Sequence, residues 1–213
     1  MSFRPPRAKP LRIAGPAGGL QGLLEDPQLE ATPLGPRIGF GVVCHPHPLY
    51  GGTMINKVVY TLARTLQEQG LPTLRFNYRG VGQSEGQYDE GRGETADALA
   101  VIAWGRARWP EAPLTLAGFS FGAMVALLAA PAAQPVRLIT VAPAVTHAQF
   151  AAIEQPPCPW LIIQGQADEL VDYREVAAFA ARFSPAPVLR MLPGVDHFFN
   201  RRLPELREAI MQA

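Results

Sequence analysis

Six short apolar runs constrain this chain more than any other feature: Ile38–Cys44, Thr73–Asn77, Leu114–Phe119, Val136–Val141, Trp160–Gln164 and Val188–Leu192. Most are near-continuous in Val, Ile, Leu and Phe, the pattern of strands buried on both faces of a sheet. Segments of helical period lie between them. Met54, Val58, Leu62 and Leu66 recur every fourth residue before Gly70, and Leu99, Ile102 and Ala103 share one face of a segment that Pro110 stops. Phe121 to Ala130 is apolar all round, as in a helix buried within a fold, and helical stretches at about 172–183 and 203–212 follow. Strand and helix in alternation predict an α/β fold, a mostly parallel twisted sheet with helices on both faces. The Gly/Pro-broken N-terminal 35 residues are expected to add one or two antiparallel edge strands.

Composition narrows the setting. With 213 residues, 48% hydrophobic and 17% charged, the chain can bury the core of one domain spanning 1–213, and no repeat or linker divides it. A net charge of +1 supplies no field for nucleic acid or an acidic membrane. Arg4, Arg7, Lys9 and Arg12, interleaved with Pro5, Pro6 and Pro10, read as a basic, Pro-rich segment, with residues 1–9 expected to form a flexible solvated tail. The longest apolar stretch, Phe121 to Ala133, is too short to span a membrane, and no charged leader precedes an apolar one. Cys44 and Cys158 are too few for a disulfide scaffold. The expectation is a reduced, cytoplasmic protein, with oligomeric state left open.

In parallel sheets, sites form beyond the carboxyl ends of the strands, so the residues that follow each run matter most. Gly118-Phe-Ser120-Phe-Gly122 sits between a strand and a buried helix, where a sharp turn exposes the serine hydroxyl. Gly82-Gln-Ser84-Glu-Gly86 matches the same bare pattern. Loop residues surround Ser84, however, and it reads as a hydroxyl closing a Gly-rich turn. A serine needs a base, and the base needs an acid to orient it. His197 alone lies beyond every candidate acid, and His147 is assigned to the surface. Asp168 is favoured as the acid because it closes a strand. Glu169 is its main rival, Asp172 looks like a helix-start residue, and Asp196 is adjacent to the histidine.

A tetrahedral intermediate needs two N–H groups aimed at its oxyanion. Phe121, directly after the serine, is one candidate. In His45-Pro-His47-Pro48, prolines cannot donate, which leaves the His45 and His47 backbones, with His47 favoured and Leu49 or Tyr50 as fallbacks. His-x-His can also present two imidazoles to a metal, but Leu-Tyr-Gly-Gly follows instead of further ligands, so neither metal nor cofactor is expected. Tyr50, Phe119 and Phe198 are candidates for an apolar substrate pocket, or for plain core packing.

These motifs together resemble the α/β-hydrolase superfamily, and in particular small bacterial serine hydrolases with a His-Pro-His-Pro-x-x-Gly-Gly-x-Met-x-Asn loop, here His45 to Asn56. Asn77-Tyr-Arg-Gly-x-Gly-x-Ser84, Gly118–Gly122, Gly165-Gln-Ala-Asp168 and Asp196-His197 match as well, so the resemblance covers about residues 10–213. It implies an eight-stranded type of sheet and acyl transfer through Ser120, His197 and Asp168, acting on a small-molecule ester or thioester. Only about 17 residues, Ala142 to Cys158, stand where larger relatives carry a lid, so no cap domain is expected. Peptidase, amidase or acyltransferase activity shares the same triad, and a non-catalytic binding protein could retain the fold.

Overall fold

The computed structural model describes residues 8–27 and 39–212. The expected tail therefore lies outside them up to residue 7, including Arg4 and Arg7, while Ala8 and Lys9 already belong to a strand. Ile38, expected to open a strand, also lies outside the described residues.

Among the described residues, eight strands form one sheet: β1 (Ala8–Gly15), β2 (Gly18–Glu25), β3 (Phe40–Cys44), β4 (Thr73–Phe76), β5 (Leu114–Phe119), β6 (Arg137–Val141), β7 (Trp160–Gly165) and β8 (Val188–Leu192). Their order is β1-β2-β4-β3-β5-β6-β7-β8. The β1–β2 hairpin is antiparallel and joins β4 antiparallel, and every pairing from β4 across to β8 is parallel. The edge strands expected near the N-terminus are this hairpin.

Among the described residues, five helices cover the two faces: α1 (Lys57–Glu68), α2 (Arg92–Arg108), α3 (Phe121–Ala133), α4 (Tyr173–Ala180) and α5 (Leu203–Met211). On one side Phe40, Val42, Leu116 and Ile162 pack against apolar residues of α2, α3 and α4. On the other, Val43, Ala117, Ile139 and Ile163 pack against α1 and α5. Alternate residues of one strand thus feed opposite cores, which is why the runs read as continuously apolar.

Two helix starts differ from the expectation. The stripe beginning at Met54 enters its helix only at Lys57, because the Asn56 side chain caps the Val58 N–H at 2.9 Å. Met54 is instead buried in the preceding loop, its N–H donating to Asn77 Oδ1 at 2.8 Å and its carbonyl accepting from Arg75 Nη1 at 2.6 Å. Helix α2 begins earlier than the expected Thr95. Glu94 reaches back to accept from the Gly91 N–H at 2.7 Å and the Asp89 N–H at 2.9 Å, so its carboxylate fixes the start.

The chain reverses its direction of progress across the sheet at β3: β4 lies to one side of it and β5 to the other. That reversal leaves a crevice beyond the carboxyl ends of β3 and β5. Residues 142–159, which join β6 to β7, hold only a 3₁₀ turn at Ala148–Ala152, so among the described residues no lid domain covers the crevice. No helix among the described residues is long and apolar enough to cross a membrane.

Candidate active site

Ser120 occupies the turn from β5 into α3 with φ 55° and ψ −116°, a region that residues other than glycine rarely adopt. The two flanking glycines make that turn possible through close approach. A Cβ on Gly118 would collide with the Gly122 carbonyl, and one on Gly122 would collide with the carbonyls of Cys44 and His45. The second contact draws the loop after β3 against the start of α3.

His197, in the loop after β8, reaches Ser120 across the sheet. Its Nε2 lies 3.1 Å from Ser120 Oγ, and its Nδ1 lies 2.8 Å from Asp168 Oδ2. The ring packs against Phe119, at 5.2 Å between centroids, and edge-on against Phe198, at 5.1 Å, and these two phenylalanines also touch each other at 6.5 Å. Asp168 is the acid that meets the histidine. Its Oδ1 accepts from the Leu170 and Val171 N–H groups at 2.9 and 2.8 Å, and its Oδ2 also accepts from Gln164 Nε2 at 2.9 Å. Burial pushes this carboxyl's pKa up, but the hydrogen bonds from His197, Val171 and Leu170 outweigh it and hold it below the usual carboxylate range. An ionised Asp168 accepts the Nδ1 proton and leaves the Nε2 lone pair facing the serine.

The rival acids have other partners. Glu169 accepts from the His197 backbone N–H at 3.2 Å, Asp172 caps α4 through the Arg174 N–H at 2.8 Å, and Asp196 binds Asn200 through both oxygens. Ser84 belongs to the turn: its hydroxyl donates to the Asn77 carbonyl at 2.7 Å and accepts from the Gln21 N–H at 2.9 Å.

The loop after β3 separates its two histidines. His45 is fully buried, donating from Nδ1 to the Pro46 carbonyl at 2.7 Å and accepting at Nε2 from the Tyr78 N–H at 3.1 Å. Both ring nitrogens are therefore engaged, and burial lowers its pKa to about 3, so it is a neutral brace between the loop and the end of β4. His47 accepts at Nδ1 from the Leu49 N–H at 3.2 Å, which puts its proton on Nε2, 3.2 Å from the Tyr88 hydroxyl. The N–H groups of Leu49 and Tyr50 are spent on His47 itself, on its ring and its carbonyl. Among the described residues the His47 N–H donates to no backbone carbonyl in a turn or loop. Phe121, the first residue of α3, has no carbonyl one turn behind it to accept its N–H.

Ser120 and His197 open onto one cavity, with His47 and Tyr50 on its wall. Of the three residues expected to form the pocket, Tyr50 lines it. Phe119 and Phe198 do not: Phe119 is buried against the His197 ring, and Phe198 is partly exposed beside both of them. Both are spent on holding the base. The cavity is instead completed by Met124, Ala144, Leu170, Val171 and His147. His147, expected at the surface, caps the 3₁₀ turn through the Gln149 N–H and still faces the cavity. Met124 follows Phe121 by one helical turn, so the same-face spacing carried a signal that the uniformly apolar helix concealed.

A family model described as "Serine aminopeptidase, S33" matches residues 51–158, a span that contains Ser120 and ends before Asp168 and His197. Among solved structures, an alpha-beta serine hydrolase homologue from Coxiella burnetii is 44% identical, covers 99% of this chain and 99% of that one, and superposes with a TM-score of 0.90. A serine hydrolase without lid from Xanthomonas campestris is 40% identical over 100% of this chain and 95% of that one, with a TM-score of 0.91. An uncharacterized protein of Rickettsia prowazekii is 35% identical, over 90% of this chain and 84% of its own length.

Proposed function

The chain belongs to the α/β serine hydrolases, and from that premise we propose that it cleaves small or flexible carboxylic esters or thioesters through an acyl-enzyme on Ser120. The observation that carries this reading is the unbroken line of hydrogen bonds from Asp168 through His197 to Ser120, at 2.8 and 3.1 Å. In it, Ser120 Oγ attacks the substrate carbonyl carbon while His197 Nε2 takes its proton. The resulting oxyanion accepts from the N–H groups of Phe121 and His47, the former at a helix N-terminus. Collapse breaks the bond to the leaving group, which departs with the proton from His197. Water then attacks the acyl-enzyme, giving up a proton to His197, and the carboxylic acid and free Ser120 are regenerated.

Several features support an ester or thioester over a larger substrate. The walls of the cavity are mostly apolar, and among the described residues no lid stands over the crevice. Hydrolysis of an amide is the second reading, favoured by the peptidase description of the matching family model. Both chemistries share every residue named above.

The test is labelling with a fluorophosphonate, followed by turnover of a panel of activated esters, thioesters and aminoacyl anilides. Wild-type protein is expected to label and Ser120→Ala to lose the label. Label surviving that substitution would sink the assignment. Faster turnover of anilides than of esters would select the peptidase reading, and labelling with no turnover of any member would select a binding protein.

A further inference from the structure

The cavity beside Ser120 is small. Its volume of about 170 Å³ is close to that of an apolar cavity of roughly 150 Å³, which holds a single benzene molecule. The chemistry decides which half of the substrate enters it. His197 must pass a proton to the leaving group, so that group lies over the imidazole, whose ring rests on Phe119 among the residues packed toward α1 and α5. His197 forms one wall of the cavity, and the remaining walls come from other residues. Phe121, Met124 and Val171 belong to the apolar cluster packed with α2, α3 and α4. The substituent that fills it is therefore the acyl group.

Met124 is one of the walls. Its side chain is fully buried, and its terminal methyl abuts Gly91 so closely that a Cβ there would collide with it. Gly91 caps the start of α2 and is held by Glu94, so the tip of the methionine is backed by this backbone. Ala144, with its small side chain, lines the same cavity.

We propose, on the acyl-transfer reading above, that the enzyme selects short acyl groups, a chain of up to about six carbons or a single aromatic ring, and that Met124 sets that limit. The size match carries the chain length, and the backing of Met124 by Gly91 carries the residue.

The experiment uses the full chain and a series of fluorophosphonates whose alkyl group on phosphorus grows from about one to about twelve carbons. Ser120 Oγ bonds to phosphorus, fluoride leaves and His197 takes the hydroxyl proton, so the alkyl group stands where the acyl chain would. Second-order labelling rates are expected to rise by up to about fourfold per methylene and to fall about tenfold beyond about six carbons. Met124→Ala moves the fall about two to three carbons longer, and Met124→Leu, which nearly conserves volume, restores it. Ala144→Phe fills the cavity from a second lining position and moves the fall shorter, without depending on a variant that empties the core. Rates that keep rising through the series in wild type, or a fall that both Met124→Ala and Ala144→Phe leave in place, would overturn the proposal. Absence of labelling by every member would overturn the acyl-transfer reading with it. A size-limited labelling profile without turnover of any ester or thioester would support the cavity assignment and overturn only the substrate class.

Discussion

Ser120 sits in a backbone conformation that costs on the order of 1–3 kcal/mol. Hydrogen bonds on both sides of the residue offset that cost: its N–H donates to the Val141 carbonyl and its own carbonyl accepts from the Ala123 N–H, each at 2.9 Å. The choice between the two adjacent acids is decided at the same scale. Asp168 and Glu169 carry the same charge, yet the aspartate meets the imidazole and the glutamate meets the backbone N–H of the same histidine. Asp168→Asn is therefore expected to lower kcat by about 10³ to 10⁴-fold, through a wrong tautomer of His197. Glu169→Gln keeps an acceptor for the N–H and is expected to cost less than about tenfold. Steady-state kinetics on any ester that turns over compares them, and a larger loss for Glu169→Gln would reverse the assignment.

Among the elements, the β5–α3 turn holds the site together, because it fixes the serine and also the approach of the loop after β3. Gly122 is where the two meet, against the carbonyls of Cys44 and His45. Gly122→Ala forces them apart, with an expected loss of stability of about 1–3 kcal/mol, in the range of an overpacked core. Because the loop carries the His47 N–H, fluorophosphonate labelling is expected to slow more than the stability loss explains. Urea unfolding and labelling kinetics on one preparation separate the two effects, and an unchanged labelling rate would show that the loop is positioned by other contacts. Element types and their order were legible because apolar continuity and four-residue periodicity are local signals. Two boundaries were not. Met54 fits the α1 stripe, but β4 residues Arg75 and Asn77 hold its backbone in the loop, and that contact is non-local. The start of α2 depended on which way the Glu94 side chain turned.

At the scale of the whole molecule, burial of His45 between β3 and β4 ties folding to pH. Its folded-state pKa, lowered to about 3 chiefly by burial, lies below the ordinary histidine value. The unfolded chain therefore binds a proton between about pH 6.5 and pH 3 that the folded protein refuses, so this group's stability is complete above that window and declines as pH falls through it. The slope from this one residue is at most about 1.4 kcal/mol per pH unit. His45→Asn removes it, so the stability advantage of wild type over the variant is expected to shrink on acidification from about pH 7 to about pH 4. Denaturant melts at several pH values test this. A constant gap would mean that His45 takes up its proton in the folded state.

The linear order of residues determined which chemistry was available. A strand-to-helix turn flanked by glycines exposes Ser120, and the only histidine beyond the acids is His197. Both follow from local backbone geometry and from position along the chain. Which acid faces the base, which aromatic residues hold the imidazole and which residues line the cavity were decided only by tertiary structure. Asp168 was separated from Glu169 by side-chain direction across a loop. Phe119 and Phe198 were drawn under and beside His197, while Ala144 and His147 reached the cavity from the loop after β6, and Leu170 and Val171 from the loop after β7. A cavity is a space between elements that become neighbours only when the sheet forms, so no single stretch of sequence carries its outline.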